Sequence, residues 1–232
     1  MIKAHQLTKK YGDILALDRL DLQIAPGETF CLLGQNGAGK TTTLHCFLGF
    51  LTPDGGQAMV HGIPVAKKPL EARRHMAYLP EVVTLYPQLS ALENLDYFSR
   101  LAGFRHDKST LEDYLRRTGL SDQSFRRRTE GFSKGMRQKV GIAIALAKQA
   151  DALFLDEPTS GLDPKAAVEL SGLLNELRAE GCAILMATHD IFRAIEVATH
   201  IGIMKEGRLV DVITNDTGRE ARALEALYLQ TI

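Results

Sequence analysis

The stretch Gly34-Gln35-Asn36-Gly37-Ala38-Gly39-Lys40-Thr41, with Thr42 behind it, constrains this chain more than any other. It matches the pattern G-x-x-x-x-G-K-[ST] in full. It follows Thr29-Phe30-Cys31-Leu32-Leu33, an apolar run of strand length, and no Gly or Pro interrupts the chain beyond it until Gly49. In that strand–loop–helix setting the glycines let backbone N–H groups turn toward a polyphosphate, and the positive end of the helix dipole stands behind them. Lys40 is expected to reach the β- and γ-phosphates, and the Thr41 hydroxyl to ligate Mg²⁺. A glycine-rich turn that binds nothing is the competing reading, but it leaves the Lys-Thr pair without a packing role. A nucleoside-triphosphate site follows.

The 232 residues suffice for one domain, or for a core with a subdomain. Lys+Arg and Asp+Glu balance at 28 each, so no global basic field speaks for nucleic acid. The one local excess falls between residues 86 and 150, with 12 Lys/Arg against 7 Asp/Glu. A solvated helical face accounts for most of it, and the remainder is available to phosphates or anionic lipid heads. Cys31, Cys46 and Cys182 lie in apolar surroundings without metal-ligand spacing, which points to core packing in a reducing compartment. No charged-then-apolar leader is visible, and no apolar run approaches the roughly 18 residues needed to span a bilayer. A cytoplasmic location is expected, with any membrane contact made through a partner.

Residues 2–7 and 14–24 alternate apolar and polar side chains and read as antiparallel strands around a Tyr11-Gly12-Asp13 turn. Further strands are expected at 29–33, 58–61, 76–79, 152–156, 183–187, 201–204 and 208–213. Helices are expected from Gly39 onward and at 93–101, 111–118, 133–148, 165–180 and 219–229. Strands alternating with helices imply a parallel sheet covered on both faces. The expected class is α/β: a mostly parallel core with an antiparallel β-subdomain at the N-terminal end and an all-α subdomain. The core takes residues 1–85 and 151–232, and the helical part 86–150, within a single nucleotide-binding domain.

Two more segments carry chemistry. Ala152-Leu153-Phe154-Leu155-Asp156-Glu157 is an apolar strand that delivers two carboxylates to its carboxyl end, where ligands sit in open α/β sheets. Asp156 suits Mg²⁺ through its water shell, and Glu157 suits a base for an attacking water. Paired acids after a strand also occur on plain surfaces; Lys40 and Thr41 give these a shared purpose. Ser133-Lys134-Gly135 opens a helix with a credible cap and an anion-binding terminus, a weak signal by itself.

Together these segments resemble, in order and over essentially the whole chain, an ATP-binding-cassette (ABC) transporter nucleotide-binding domain of the P-loop NTPase class. Tyr11 matches the aromatic residue that stacks on adenine, with a packed turn aromatic as the lesser competing reading. Gly34, Gln35, Asn36, Gly37, Ala38, Gly39, Lys40, Thr41 and Thr42 match the phosphate loop. Phe132-Ser133-Lys134-Gly135-Met136 matches the signature, usually Leu-Ser-Gly-Gly-Gln. Asp156 and Glu157 match the Mg²⁺ aspartate and the catalytic glutamate. Ser160-Gly161-Leu162-Asp163 matches the loop that crosses a dimer interface, and His189 the histidine at the γ-phosphate.

Three positions depart from the pattern. Glu81 stands where the family has a glutamine that touches Mg²⁺, so it keeps a ligating oxygen but adds charge. Lys134 and Met136 replace a glycine and a glutamine of the signature. Glu81, the run Ser133-Lys134-Gly135-Met136-Arg137-Gln138 and the tail Leu224-Glu225-Ala226-Leu227-Tyr228-Leu229 resemble the ATPase subunits of drug, lipid, polysaccharide, peptide and ion exporters.

The resemblance implies ATP and Mg²⁺ as cofactors, two nucleotides sandwiched between two cassettes, and a separate integral membrane subunit at the inner face of the cell membrane. One phosphate loop and one signature make a symmetric homodimer the simplest assembly; pairing with a different cassette satisfies the same geometry. A soluble cassette ATPase acting on nucleic acid or ribosomes is the main rival, and direct nucleic-acid contact is not expected. A small-molecule kinase would explain Lys40 and Thr41 but leaves Ser133, Asp163 and His189 without jobs.

Overall fold

The computed structural model describes residues 1–215; the expected helix at 219–229 and the tail from Leu224 to Leu229 lie outside the described residues. Two sheets stack around shared apolar layers. The first is antiparallel, in the order β2-β1-β4-β5, formed by β1 (Ile2–Tyr11), β2 (Ile14–Ile24), β4 (Gly55–Val60) and the short β5 (Ile63–Pro64). The second has six strands in the order β10-β9-β3-β8-β7-β6: β3 (Thr29–Leu33), β6 (Met76–Leu79), β7 (Ala152–Asp156), β8 (Ala183–Thr188), β9 (His200–Lys205) and β10 (Arg208–Thr214). Its pairs are parallel except for the terminal β9–β10 hairpin. The expected mostly parallel core with an antiparallel sheet beside it is what the chain forms.

Strand β3 shows why the sheet is covered twice. Phe30 and Leu32 join the apolar layer shared with β1, β2 and α1 (Lys40–Phe47). Cys31 and Leu33 join the opposite layer, built from α3 (Ala91–Leu101), α4 (Lys108–Arg117), α5 (Lys134–Ala147), α6 (Pro164–Ala179) and α7 (Ile191–Val197). Alternate side chains of a strand face opposite ways, so a strand buried on both faces reads as an unbroken apolar run.

Helix α3 begins earlier than expected because Ser90 and Glu93 form a reciprocal capping box. That signal was present in the sequence. The short α2 (Pro69–Arg73) and α7 were not anticipated; α7 is seven residues long and follows a cap, Asp190, whose carboxylate accepts from the amides of Phe192 and Arg193. All three cysteines are free thiols; Cys31 and Cys46 are buried and Cys182 is half-buried. Burial pushes the Cys46 thiol up to about 11. No described helix is long and apolar enough to cross a membrane.

Candidate nucleotide site

The phosphate loop is shaped by what surrounds it. Gly39 adopts φ 106°, and a side chain there would put its Cβ 2.6 Å from the Ala16 carbonyl oxygen. Only glycine satisfies both the left-handed backbone and that approach. The same contact seats the β1–β2 hairpin beside the loop. Tyr11 pairs with Ile14 at that hairpin's end, is 46% exposed, and has the Lys9 ammonium 5.8 Å from its ring centroid. Gln35, Asn36, Gly37 and Ala38 line a cavity of about 290 Å³ with Met204 and Glu206.

Lys40 opens α1 and is 6% exposed. Its ammonium donates to the carbonyls of Gly34 at 2.6 Å and Gln35 at 3.1 Å, and stands 3.8 Å from Glu157 Oε1. Burial lowers its pKa, while the Glu157 and Asp156 carboxylates oppose that shift. Thr41 donates its hydroxyl to Asp156 Oδ1 at 3.2 Å. Thr42 follows, half-buried on the same helix.

Asp156 closes β7 and is only 8% exposed. Burial raises its pKa, Glu157 and Glu81 push the same way, and the Thr41 hydroxyl opposes them. A buried carboxylate held in this way, beside a hydroxyl and two further acids, has the donor set for a hard dication with oxygen ligands. Mg²⁺ fits these residues.

Glu157 has a left-handed backbone, φ 45°, rare for a residue with a side chain. Its amide donates to the Ala187 carbonyl on the neighbouring strand β8 at 2.9 Å, which fixes the turn. Glu157 Oε2 then meets His189 Nδ1 at 2.9 Å. The sheet therefore brings Lys40, Thr41, Asp156, Glu157 and His189 to the carboxyl ends of β3, β7 and β8.

The remaining candidates are held by partners outside that group, although Glu81 is near enough to raise the Asp156 pKa. Ser133 caps α5, accepting from the Met136 amide at 3.2 Å, and Gly135 packs against Leu162 and Ala166. Asp163 caps α6 by accepting from the Ala166 amide at 3.0 Å. Glu81 Oε1 accepts the Ser160 hydroxyl at 3.0 Å and lies 3.9 Å from Lys134 Nζ.

Residues that sequence reasoning did not single out hold these loops in place. Gln138 is almost wholly buried and donates to the Pro158 carbonyl, which ties α5 to the loop behind Glu157. Asn94, also buried, accepts from the Tyr86 amide and donates to the carbonyls of Tyr86, Leu89 and Ser90. A polar residue amid the apolar spacing of a helix was the only available signal for either. In segment 81–95 the apolar side chains Val82, Val83, Leu85, Tyr86, Leu92 and Leu95 divide between core and surface. Val83, Leu85 and Leu95 are core, and Leu92 packs against that core; Val82 and Tyr86 remain exposed.

The family model described as ABC transporter matches residues 17–160. The bacitracin transport ATP-binding protein BcrA of Bacillus licheniformis is 36% identical, over 93% of this chain and 70% of its own length. The Nod factor export ATP-binding protein I of Cupriavidus metallidurans is 35% identical, over 90% of this chain and 70% of its own length. Among solved structures, a dimeric ATP-binding cassette in a post-hydrolysis state, bound to ADP and Pi, superposes with a TM-score of 0.84. It is 26% identical and the match covers 93% of this chain and 99% of that one.

Proposed function

This chain belongs to the ABC transporter family as an ATP-binding, ATP-hydrolysing subunit, and we propose on that premise a mechanism, an assembly and a direction of transport. The observation that carries the mechanism is the position of Glu157, whose two carboxylate oxygens face Lys40 and His189 separately. A carboxylate anchored on one side by a cation and on the other by an imidazole is pre-oriented to accept a proton from water. Thr41 and Asp156 would hold Mg²⁺, with Glu81 at its edge, and the ion would neutralise charge on the phosphates. Backbone amides of Gly34 to Thr42 bind the phosphates, Lys40 offsets their charge, and His189 orients Glu157. Tyr11 stacks on the adenine.

Ser133, Gly135 and Asp163 serve a second copy of the chain. Ser133 and Gly135 are held by Met136, Leu162 and Ala166 and not by the residues gathered around Glu157, which supports a signature that completes a partner's site rather than its own. A homodimer is the simplest assembly that does this, because a two-fold axis supplies each site with the missing half.

The membrane subunit is met through the exposed apolar side chains Val82, Tyr86, Tyr97 and Leu101, beside the segment that leads from β6 into the helices. The chain thereby lies at the inner face of the membrane. Among relatives named for bacitracin transport and Nod factor export, the second supports export as the direction. The same names do not favour a role on nucleic acid or ribosomes.

The assembly is tested by complementation. Ser133→Arg should lose hydrolysis yet bind ATP as a monomer, and Lys40→Ala should fail at the phosphates. Mixed together, they should recover partial ATPase activity through one intact composite site. Full activity of Ser133→Arg alone would reject the two-protomer reading.

A further inference from the structure

The opposite end of the six-stranded sheet carries a second cluster of ligating groups. His75 and Asp151 immediately precede β6 and β7, which pair in parallel with Met76 opposite Ala152. The Ala152 amide donates to the His75 carbonyl at 3.0 Å, so the two residues are held in register. His61 arrives from the other sheet, in the β4–β5 turn, with a left-handed φ of 53° followed by Gly62 at 74°. Its Nε2 lies 2.6 Å from Asp151 Oδ2, and His75 Nδ1 lies 3.6 Å from that same oxygen. The imidazole centroids are 4.4 Å apart. One ligating atom from each residue falls within 4.8 Å of the other two. Strand β7, rising about 3.3 Å per residue, separates this cluster from Asp156 by roughly 16 Å.

We propose that His61, His75 and Asp151 bind a transition-metal dication of the Zn²⁺ class, clipping the antiparallel sheet to the start of β6 and β7. Two imidazole nitrogens and one carboxylate are the donors that Zn²⁺ accepts, whereas Mg²⁺ prefers oxygen and retains its waters. Ligands about 2.0–2.2 Å from a tetrahedral ion stand roughly 3.4 Å from one another. The distances here, from 2.6 Å to within 4.8 Å, bracket that value. Binding exchanges the His61–Asp151 contact for bonds to the ion and leaves a fourth position for water. All three side chains are solvent-accessible, so the ion has a way in. Nothing in the hydrolytic site is used.

The test is a Zn²⁺ titration of the full chain against a chromophoric chelator, in excess Mg²⁺, with Co²⁺ absorption as a second readout of coordination. One equivalent is expected, with Zn²⁺ raising the melting temperature. His61→Gln, His75→Gln and Asp151→Asn should each weaken binding by about 10–100-fold or more. Asp156→Asn should leave it unchanged. His61 is on an exposed turn, so its variant reports on the site without threatening the fold. Uptake by the native chain no greater than by the triple variant would overturn the proposal and leave an ordinary hydrogen-bonded His–Asp pair. Uptake abolished by Asp156→Asn and kept by His61→Gln would overturn it too, by putting the ion at the nucleotide.

Discussion

Glu81 and Lys134, two of the three positions where this chain departs from the family pattern, face each other: Glu81 Oε1 lies 3.9 Å from Lys134 Nζ and also accepts the Ser160 hydroxyl. The carboxylate that replaces the family's neutral glutamine is thus matched by an ammonium that replaces a glycine. Lys134 also runs over Gly161, where an added Cβ would lie 3.4 Å from its Nζ. The pair therefore links the end of β6, the start of α5 and the loop behind Glu157.

Both side chains are partly solvated, at 51% and 29%, so the pair contributes little to folding. A double-mutant cycle of Glu81→Gln and Lys134→Gly should give a coupling of about 0.2–1 kcal/mol that fades as salt is added. Denaturant melts of the four proteins measure it. Zero coupling at low salt would mean that the two charges act independently.

Asp156 sets stability against function. Burial raises its carboxyl pKa, so the folded chain holds that proton to higher pH than the unfolded chain does. Stability from this group is therefore lost as pH rises from the ordinary value of 3.8 through the folded value, and the penalty is complete above it. Without Mg²⁺, Asp156→Asn should melt higher than the native chain at pH 7, by roughly 2–4 °C for each kcal/mol relieved. The advantage should shrink as pH falls toward 3.8, while Mg²⁺-dependent hydrolysis is lost. Thermal melts across pH check the sign; a lower melting point at pH 7 would refute it.

Most of this site was legible because its parts are local. The apolar runs 29–33 and 152–156 are buried strands with the expected limits, since a doubly covered strand leaves an unbroken apolar signature. Gly39 and Lys40 were legible for a related reason: the loop requires both a left-handed glycine and a cation at fixed spacing. What the sequence left hidden depends on distant partners. Nothing near Lys134 announces Glu81; His75 and Asp151 meet through the pairing of β6 with β7, and His61 joins them only because two sheets stack. The segment 81–95 is ambiguous for the same reason, as apolar side chains on a connection look alike whether Leu95 faces the core or Tyr86 faces solvent.

Tyr86 offers a test of membrane coupling. Its ring is 46% exposed, stands edge-on to Tyr97 at 5.0 Å and stacks on Phe98 at 5.9 Å. Its backbone is held by Asn94 whatever its side chain. Tyr86→Ala should cost about 1 kcal/mol of stability, the value of an aromatic pair, and leave basal ATPase activity nearly intact. Co-purification with the membrane subunit should weaken and hydrolysis should no longer follow transport. Normal partner binding would move the contact elsewhere on the surface.

Glu157→Gln tests the account at its centre. The amide keeps the size of the side chain and its reach to Lys40 and His189 but cannot take a proton from water. Single-turnover hydrolysis at saturating MgATP should fall by about 10²–10⁴-fold, the loss expected on removing a general base. ATP should still bind, and the variant should run as an ATP-dependent dimer on sizing. Hydrolysis near the native rate, with no trapped dimer, would contradict the account.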